Sequence, residues 1–216
     1  MSESEPGNWL NRFPWRLLRL GRSGSGRAFG VLSVWVWWER FTNWRFKVKP
    51  VGPDSFLLYS LSHYSDSERT LADGTSLHSG DPILELHFNN PQITRLISRN
   101  QFTPWKALKL AGHDIGILEE AVASGPLNQV KAIHAITLFA SSGERLGFEV
   151  HELPHTASWA LVRYFMVGLI ALYHPDGWKQ AARTRQTMWP GEMWMGIETI
   201  KRRAQMDTTK SDSIQE

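Results

Sequence analysis

The sequence predicts an α+β fold, in which a small mixed sheet contains an antiparallel hairpin and helices pack on one face. Three observations lead to this prediction. Gly80–Asn90 alternates apolar and polar residues after a turn, as a half-buried strand does. Asp73-Gly74 is a strong hairpin signal between two short extended stretches. Further along the chain, long helical patterns alternate with single strand-like segments.

The chain begins with a basic segment. Residues 1–50 hold nine Lys or Arg residues and three acidic residues, although the net charge of the whole chain is only +3. We predict that residues 1–27 are a flexible leader, in which Trp9–Leu20 is expected to form at most a short amphipathic helix, broken by Pro14, and the Gly/Ser-rich run 21–27 is typical of a linker. A single domain is predicted over 28–204, and a disordered tail over 205–216.

The domain is predicted to begin with a helix, Ala28–Lys47, which Pro50 and Pro53 end. The segments that follow are strand-like as far as Asn90, namely Phe56–Tyr64, Arg69–Leu71, Ser76–His78 and Gly80–Asn90. Helices are predicted at Pro91–Ser98, Pro104–Ala123, Thr156–Tyr173 and Pro190–Ala204, and a short helix or turn at Ser141–Leu146. The remaining strands are predicted within Lys131–Phe139 and Gly147–Leu153, and the basic stretch after Tyr173 is predicted to be irregular.

Composition excludes several kinds of site. The chain has no cysteine, so it has neither disulfides nor thiolate ligands and nucleophiles. No Walker loop, dinucleotide fingerprint or Gly-Xaa-Ser-Xaa-Gly elbow occurs, and we expect no cofactor. No run of about 18 apolar residues, the length that spans a membrane, is present either.

Two strands carry the candidate catalytic residues. Glu85 and His87 are two residues apart on one predicted strand and therefore share a face, and Glu149 and His151 repeat the pattern on another. If these strands are neighbours, two carboxylates and two imidazoles converge, where they can perform acid–base chemistry or hold a divalent metal. The alternative is a solvated sheet face with ordinary Glu–His neighbours.

Three further residues are candidates for ligand binding. Asn89 and Asn90 end the strand before Pro91, and they either bind a sugar or amide or cap the next helix; capping is favoured for Asn90. Arg163 interrupts an apolar helix, so it either binds an anion in a cleft or has a structural partner.

The leader suggests contact with a membrane. Basic and aromatic residues alternate there, a mixture that can lie on an anionic bilayer. The candidate contact residues are Trp9, Arg12, Trp15, Arg16 and Arg19. Single-stranded nucleic acid could use the same mixture, but we favour the membrane. The alternatives are a leader that packs on the domain or stays disordered.

Three motifs of this chain resemble a known family. Arg69–Asn90, Leu146–Pro154 and Tyr173–Gly177 are similar to segments of the YkoP-like domain, and the resemblance extends over Trp35–Arg203. The family is bacterial and also occurs fused to polysaccharide deacetylases. The resemblance implies an accessory domain in the cytoplasm or at the inner membrane face, with an envelope polysaccharide or its modifying enzyme as partner. It supplies no catalytic residues, and the deacetylase metal signature is not present in this chain.

Overall fold

The computed structural model describes residues 48–173 and 177–212. The described strands are β1 (Lys49–Pro50), β2 (Leu57–His63), β3 (Arg69–Thr70), β4 (Ser76–Leu77), β5 (Pro82–Phe88), β6 (Ala132–Thr137), β7 (Glu149–Glu152) and β8 (Gly191–Gly196). The described helices are α1 (Asn90–Ser98), α2 (Pro104–Ala123), α3 (Ala157–Tyr173), α4 (Gly177–Thr187) and α5 (Ile197–Asp212), with a 3₁₀ helix at Ala140–Leu146.

Six strands form one mixed sheet, and this confirms the predicted fold class. The strand order is β1-β2-β5-β6-β8-β7, and β3 and β4 form a separate hairpin. All neighbouring strands in the sheet are antiparallel except β5 and β6, which run parallel. Parallel neighbours need a long crossover, and α1 and α2 lie within the one that joins β5 to β6.

The main core lies on one face of the sheet. Leu84, Ile133 and Met195 are directly paired across β5, β6 and β8, and each is buried. Helices α1, α2 and α5 cover them through Leu96, Ile115, Leu118, Val122 and Ile200. The opposite face holds a smaller core under the β3–β4 hairpin, formed by Tyr64, Leu71, Leu77, Ile83, Ala132 and Trp194.

Local signals explain where the helices of the crossover begin. Helix α2 begins at Pro104, as predicted, and the Thr103 side chain caps it by accepting a hydrogen bond from the backbone N–H of Lys106. Asn89 caps α1 by accepting from the backbone N–H of Gln92 at 3.3 Å. The cap is therefore one residue earlier than Asn90, the residue for which capping was favoured.

Two predictions about the C-terminal region are wrong. Pro190–Ala204 is not one helix, because residues 191–196 form β8 and α5 starts only at Ile197. The basic stretch after Tyr173 is not irregular, since it forms α4. Helix α5 also continues to Asp212, within the segment predicted to be a tail. Among the described helices, none is long and apolar enough to cross a bilayer.

Candidate functional site

A row of polar side chains crosses the sheet on the face opposite the main core. Glu85 on β5 pairs with His134 on β6, His134 pairs with Trp194 on β8, and Trp194 pairs with Glu149 on β7. Directly paired residues point to the same side of a sheet, so these four side chains share one face. The sequence prediction that Glu85 and Glu149 face the same way is therefore correct.

The two predicted Glu–His pairs do not meet, however. Strands β6 and β8 lie between β5 and β7. Neighbouring strands are about 4.8 Å apart, which separates the two pairs by roughly 14 Å. The condition for convergence, that the two strands are neighbours, is not fulfilled. Residues of the intervening strands occupy the space between Glu85 and Glu149.

Glu192 is the centre of this polar face. Its carboxylate accepts a hydrogen bond from Arg69 Nη1 at 2.8 Å, and its other oxygen lies 3.4 Å from His134 Nε2. Burial alone would raise the pKa of Glu192, but the interactions with His134 and Arg69 outweigh it and lower the pKa to about 2. The carboxylate therefore stays ionised although it is mostly buried.

Trp194 lies beneath this ion pair. The His134 ring stacks on the indole at a centroid distance of 4.0 Å, and the Arg69 guanidinium lies 5.3 Å from the same ring system. Tyr64 packs against the indole edge-on at 5.8 Å. Stacking and cation–π contacts hold Arg69 and His134 in place around Glu192.

His87 has a different environment. Its Nε2 lies 3.2 Å from the hydroxyl of Ser60, a buried residue that pairs directly with Glu85. Burial lowers the pKa of His87; the Glu85 charge opposes this effect and His134 reinforces it. A lowered pKa favours the neutral imidazole, which both donates and accepts a hydrogen bond.

Glu149 and His151 contact each other, Glu149 also contacts the loop of the β3–β4 hairpin, and the two do not form a cluster with Glu85 and His87 on β5. Glu149 accepts a hydrogen bond from the backbone N–H of Ala72 at 2.6 Å, and its second oxygen contacts His151 Nε2. Ala72 lies in the loop between β3 and β4. This loop flanks a cleft of about 330 Å³ whose acidic lining residues are Asp73, Glu144 and Glu149. Asp73 itself accepts from the backbone N–H groups of Thr75 and Thr199.

The predicted binding residues are distributed over other parts of the fold. Asn89, besides capping α1, donates to the carbonyl of Ser55 at 2.8 Å. The Arg163 guanidinium donates to the carbonyls of Met188, at 2.8 Å, and Arg185, and it lies over the ring of Trp189. These contacts favour a structural role for Arg163. The leader residues Trp9, Arg12, Trp15, Arg16 and Arg19 lie outside the described residues.

The polar face is covered at its two ends, and the polar side chains between them are partly buried, with His134 12% and Glu192 17% exposed. On β6, Ala132 packs under the β3–β4 hairpin, and Leu138, just past the strand, packs on α3 and α4 through Val167 and Ala181. His134 and Ile136, between them, are half-buried. The half-buried polar groups of this region, which we call the polar groove, are Glu85, His87, His134, His151 and Glu192.

Sequence reasoning missed Arg69, His134, Glu192 and Trp194. His134 and Glu192 lie on strands whose partners are distant in sequence, and Glu192 was assigned to a helix. A strand is predicted within Lys131–Phe139, but only the strand order shows that His134 lies beside Glu85. In the described part of the chain, no group of three or more His, Asp or Glu residues is arranged to hold a metal ion.

Comparison with known proteins identifies the family. The model of the YkoP domain matches residues 29–204, which is most of the chain. No curated protein and no solved structure matches it.

Proposed function

Since this chain belongs to the YkoP domain family, we propose that it is a binding module whose polar groove recognises a hydroxyl-rich ligand, an envelope polysaccharide or a fragment of one. The observation that carries the proposal is the groove itself. Glu85, His87, Glu192 and His151 lie partly buried on one face of the sheet, between the β3–β4 hairpin and the helices α3 and α4. Ligand sites contain a small number of polar groups that are held in fixed positions, as they are on this face.

The chemistry of the groove suits hydroxyl groups. Carboxylates accept hydrogen bonds, and neutral imidazoles donate from one nitrogen and accept at the other, so together they match a hydroxyl, which does both. Side chains paired across neighbouring strands lie about 5 Å apart, which allows one sugar ring to reach two of them. The resemblance to domains fused to polysaccharide deacetylases supports this ligand class.

Binding fits the geometry better than catalysis by the four predicted residues. Glu85 and His87 are separated from Glu149 and His151 by two strands, and Glu149 is held by the backbone of Ala72. Carboxylates committed to protein partners orient a surface well, but they are less available to transfer protons.

Titration of the purified protein with oligosaccharides tests the proposal. We would use N-acetylglucosamine oligomers and soluble muropeptides, followed by amide chemical shifts. We expect shifts at β5, β6 and β8, and roughly tenfold weaker binding for His87→Ala and His151→Ala. His113→Ala, an exposed histidine on α2, is the matched control. Binding that is unchanged by both groove variants, or no shifts with any oligosaccharide, contradicts the proposal.

A hydrolytic enzyme is the second candidate, and one observation favours it. The Ser60 hydroxyl lies 3.2 Å from His87 Nε2, with Glu85 directly opposite Ser60, which is the relation of a nucleophile to its base. If the protein hydrolyses the same oligosaccharides or simple esters, and Ser60→Ala abolishes this activity, hydrolysis becomes the proposed main function in place of binding. The absence of turnover at saturating ligand would count against it.

The leader is proposed to contact an anionic membrane surface, as its composition indicates. This would hold the binding module at the inner membrane face. Vesicle flotation of the full chain and of Arg12→Gln/Arg16→Gln/Arg19→Gln tests it. Equal flotation of both proteins would remove the leader from this role.

A further inference from the structure

Helix α3 exposes large apolar side chains on one stripe. Leu161 is 70% exposed and Tyr164 is 64% exposed. Residues three apart lie on the same face of a helix, so the two side chains are neighbours on the surface. Ala157 and Ala160, in the preceding turn, are also exposed. This apolar stripe is continuous over the first half of the helix.

The opposite side of α3 packs against the rest of the domain. Val167 is buried against Leu138 and Ala181, so this side faces the body of the domain and α4. Arg163 is the only charged residue of α3, and its guanidinium is bound to carbonyls at the end of α4. The exposed stripe is therefore apolar and carries no charge.

Helix α4, which packs beside α3, adds positive charge. Lys179, Arg183 and Arg185 are exposed, and neither helix contains an Asp or Glu. Within the described part of the chain, no carboxylate forms an ion pair with these three side chains. An uncharged apolar stripe and an unneutralised basic helix thus form one helical pair.

We propose that the α3–α4 pair lies on the surface of an anionic phospholipid bilayer. Leu161 and Tyr164 enter the boundary between headgroups and acyl chains, where an apolar stripe with an aromatic hydroxyl is stable. Lys179 and Arg183 contact lipid phosphates, and each basic side chain near such a surface adds to the affinity. Charge complementarity is the reason for choosing this partner, since two acid-free helices repel a second copy of themselves.

The surface is separate from the polar groove. Its residues lie on α3 and α4, whereas the groove is formed by β5, β6, β7 and β8. The inference therefore does not depend on polysaccharide binding.

Cosedimentation of the full chain with vesicles tests this inference. The vesicles are phosphatidylcholine alone, or with about 30% phosphatidylglycerol. We expect binding to the anionic vesicles only, weakened by added salt. Leu161→Gln/Tyr164→Gln and Lys179→Gln/Arg183→Gln are each expected to lower the partition coefficient roughly tenfold.

Matched controls separate this surface from general effects. Ile117→Gln replaces an exposed apolar residue on α2, and Arg99→Gln/Lys109→Gln removes two exposed charges elsewhere; both should bind as the unaltered protein does. Thermal melts should coincide, because the substituted side chains are exposed.

Three outcomes would overturn the inference. The first is no binding to either vesicle. The second is binding that is lost only when Arg12, Arg16 and Arg19 are replaced. The third is self-association of the protein in solution that Leu161→Gln/Tyr164→Gln abolishes. The second result assigns the contact to the leader, and the third assigns the apolar stripe to a second copy of the chain.

Discussion

Glu192 shows how a half-buried carboxylate remains charged on this sheet. Desolvation disfavours its ionised form, but Arg69 and His134 compensate at hydrogen-bonding and ion-pair distances. Stacking on Trp194 fixes both partners, so they are already oriented when the carboxylate ionises. Arg69 and Trp194 thus hold Glu192 and His134 of the polar groove in fixed positions.

Replacing Glu192 by Gln should destabilise the fold in a pH-dependent manner. The folded-state pKa of about 2 lies below the ordinary 4.5, so the stabilisation is complete above pH 4.5 and is lost as the pH falls toward 2. We expect a cost of about 1–3 kcal/mol at pH 7. Urea unfolding at pH 7, 4 and 3 measures it. A difference from the unaltered protein that does not shrink below pH 4.5 would contradict this assignment.

Asp114 performs a purely structural task. It is buried on α2, and its Oδ2 accepts from the backbone N–H groups of Phe56 and Leu57, at 2.7 and 2.8 Å, where β2 begins. Asp114→Ala leaves two N–H groups without this acceptor and should cost about 2–4 kcal/mol in the free energy of unfolding. Asp114→Asn keeps an acceptor oxygen and should cost less.

Chemical denaturation measures the effect at Asp114. Asp54→Ala is its control, because Asp54 forms only an exposed pair with Arg95 and should change stability by less than about 0.5 kcal/mol. Equal effects of Asp114→Ala and Asp54→Ala would refute the structural role.

At the scale of elements, the β3–β4 hairpin is fastened to the sheet at several points. Leu71 and Leu77 pack on Ile83 and Trp194. The Asp73 carboxylate accepts from Thr199 at the start of α5, and hydrogen bonds of this kind lower the pKa of Asp73 although burial alone would raise it. A hairpin this short is not stable by itself, so these contacts decide its position.

Gly196 allows the hairpin to approach β8 closely. A Cβ at this position would overlap the Thr75 hydroxyl and lie 2.5 Å from the Asp73 carboxylate oxygens. Gly196→Ala should therefore destabilise the protein by about 1–3 kcal/mol. Gly116→Ala on α2 meets open space and should be neutral or stabilising, because alanine is the better helix former. We expect Gly196→Ala to lower the melting temperature and Gly116→Ala to leave it unchanged or raise it. Equal shifts for the two variants would count against the close approach of the hairpin to β8.

The elements differ in how far the sequence predicts them. Helix α2 is predicted with the bounds that the structure shows, Pro104–Ala123, and its start coincides with a proline at the first position. Strand β5 is predicted because its alternation follows a turn. Strand β8 is missed because Met193, Ile197 and Ile200 also fit one face of a helix, and the competing signal was only Gly191 and Gly196.

At the scale of the whole molecule, the order of strands in the sheet is the feature that the sequence alone does not predict. The fold class follows from local patterns, whereas the partner of each strand depends on contacts between distant segments. Face sharing by Glu85 and Glu149 needed only the alternation within each strand. By contrast, the position of β6 and β8 between them, and the cluster around Glu192 that results, can be predicted only when the strand order is known.

The rates of amide hydrogen exchange should differ between the central strands of the sheet and the β3–β4 hairpin. Strands β6 and β8 are paired on both sides and covered by the main core, so their amides should exchange at least about 100-fold more slowly than those of the β3–β4 hairpin. Exchange monitored by NMR measures the ratio. Comparable protection of hairpin and central strands would mean that the two open together.

The two outer strands of the sheet have a consequence for behaviour in concentrated solution. On one side the described sheet ends in a two-residue strand that includes Pro50, which has no N–H to donate, and on the other in a four-residue strand with two glutamates. Such borders offer few free backbone groups to an incoming chain, and like charges repel it. Cross-β aggregation should therefore require partial unfolding first.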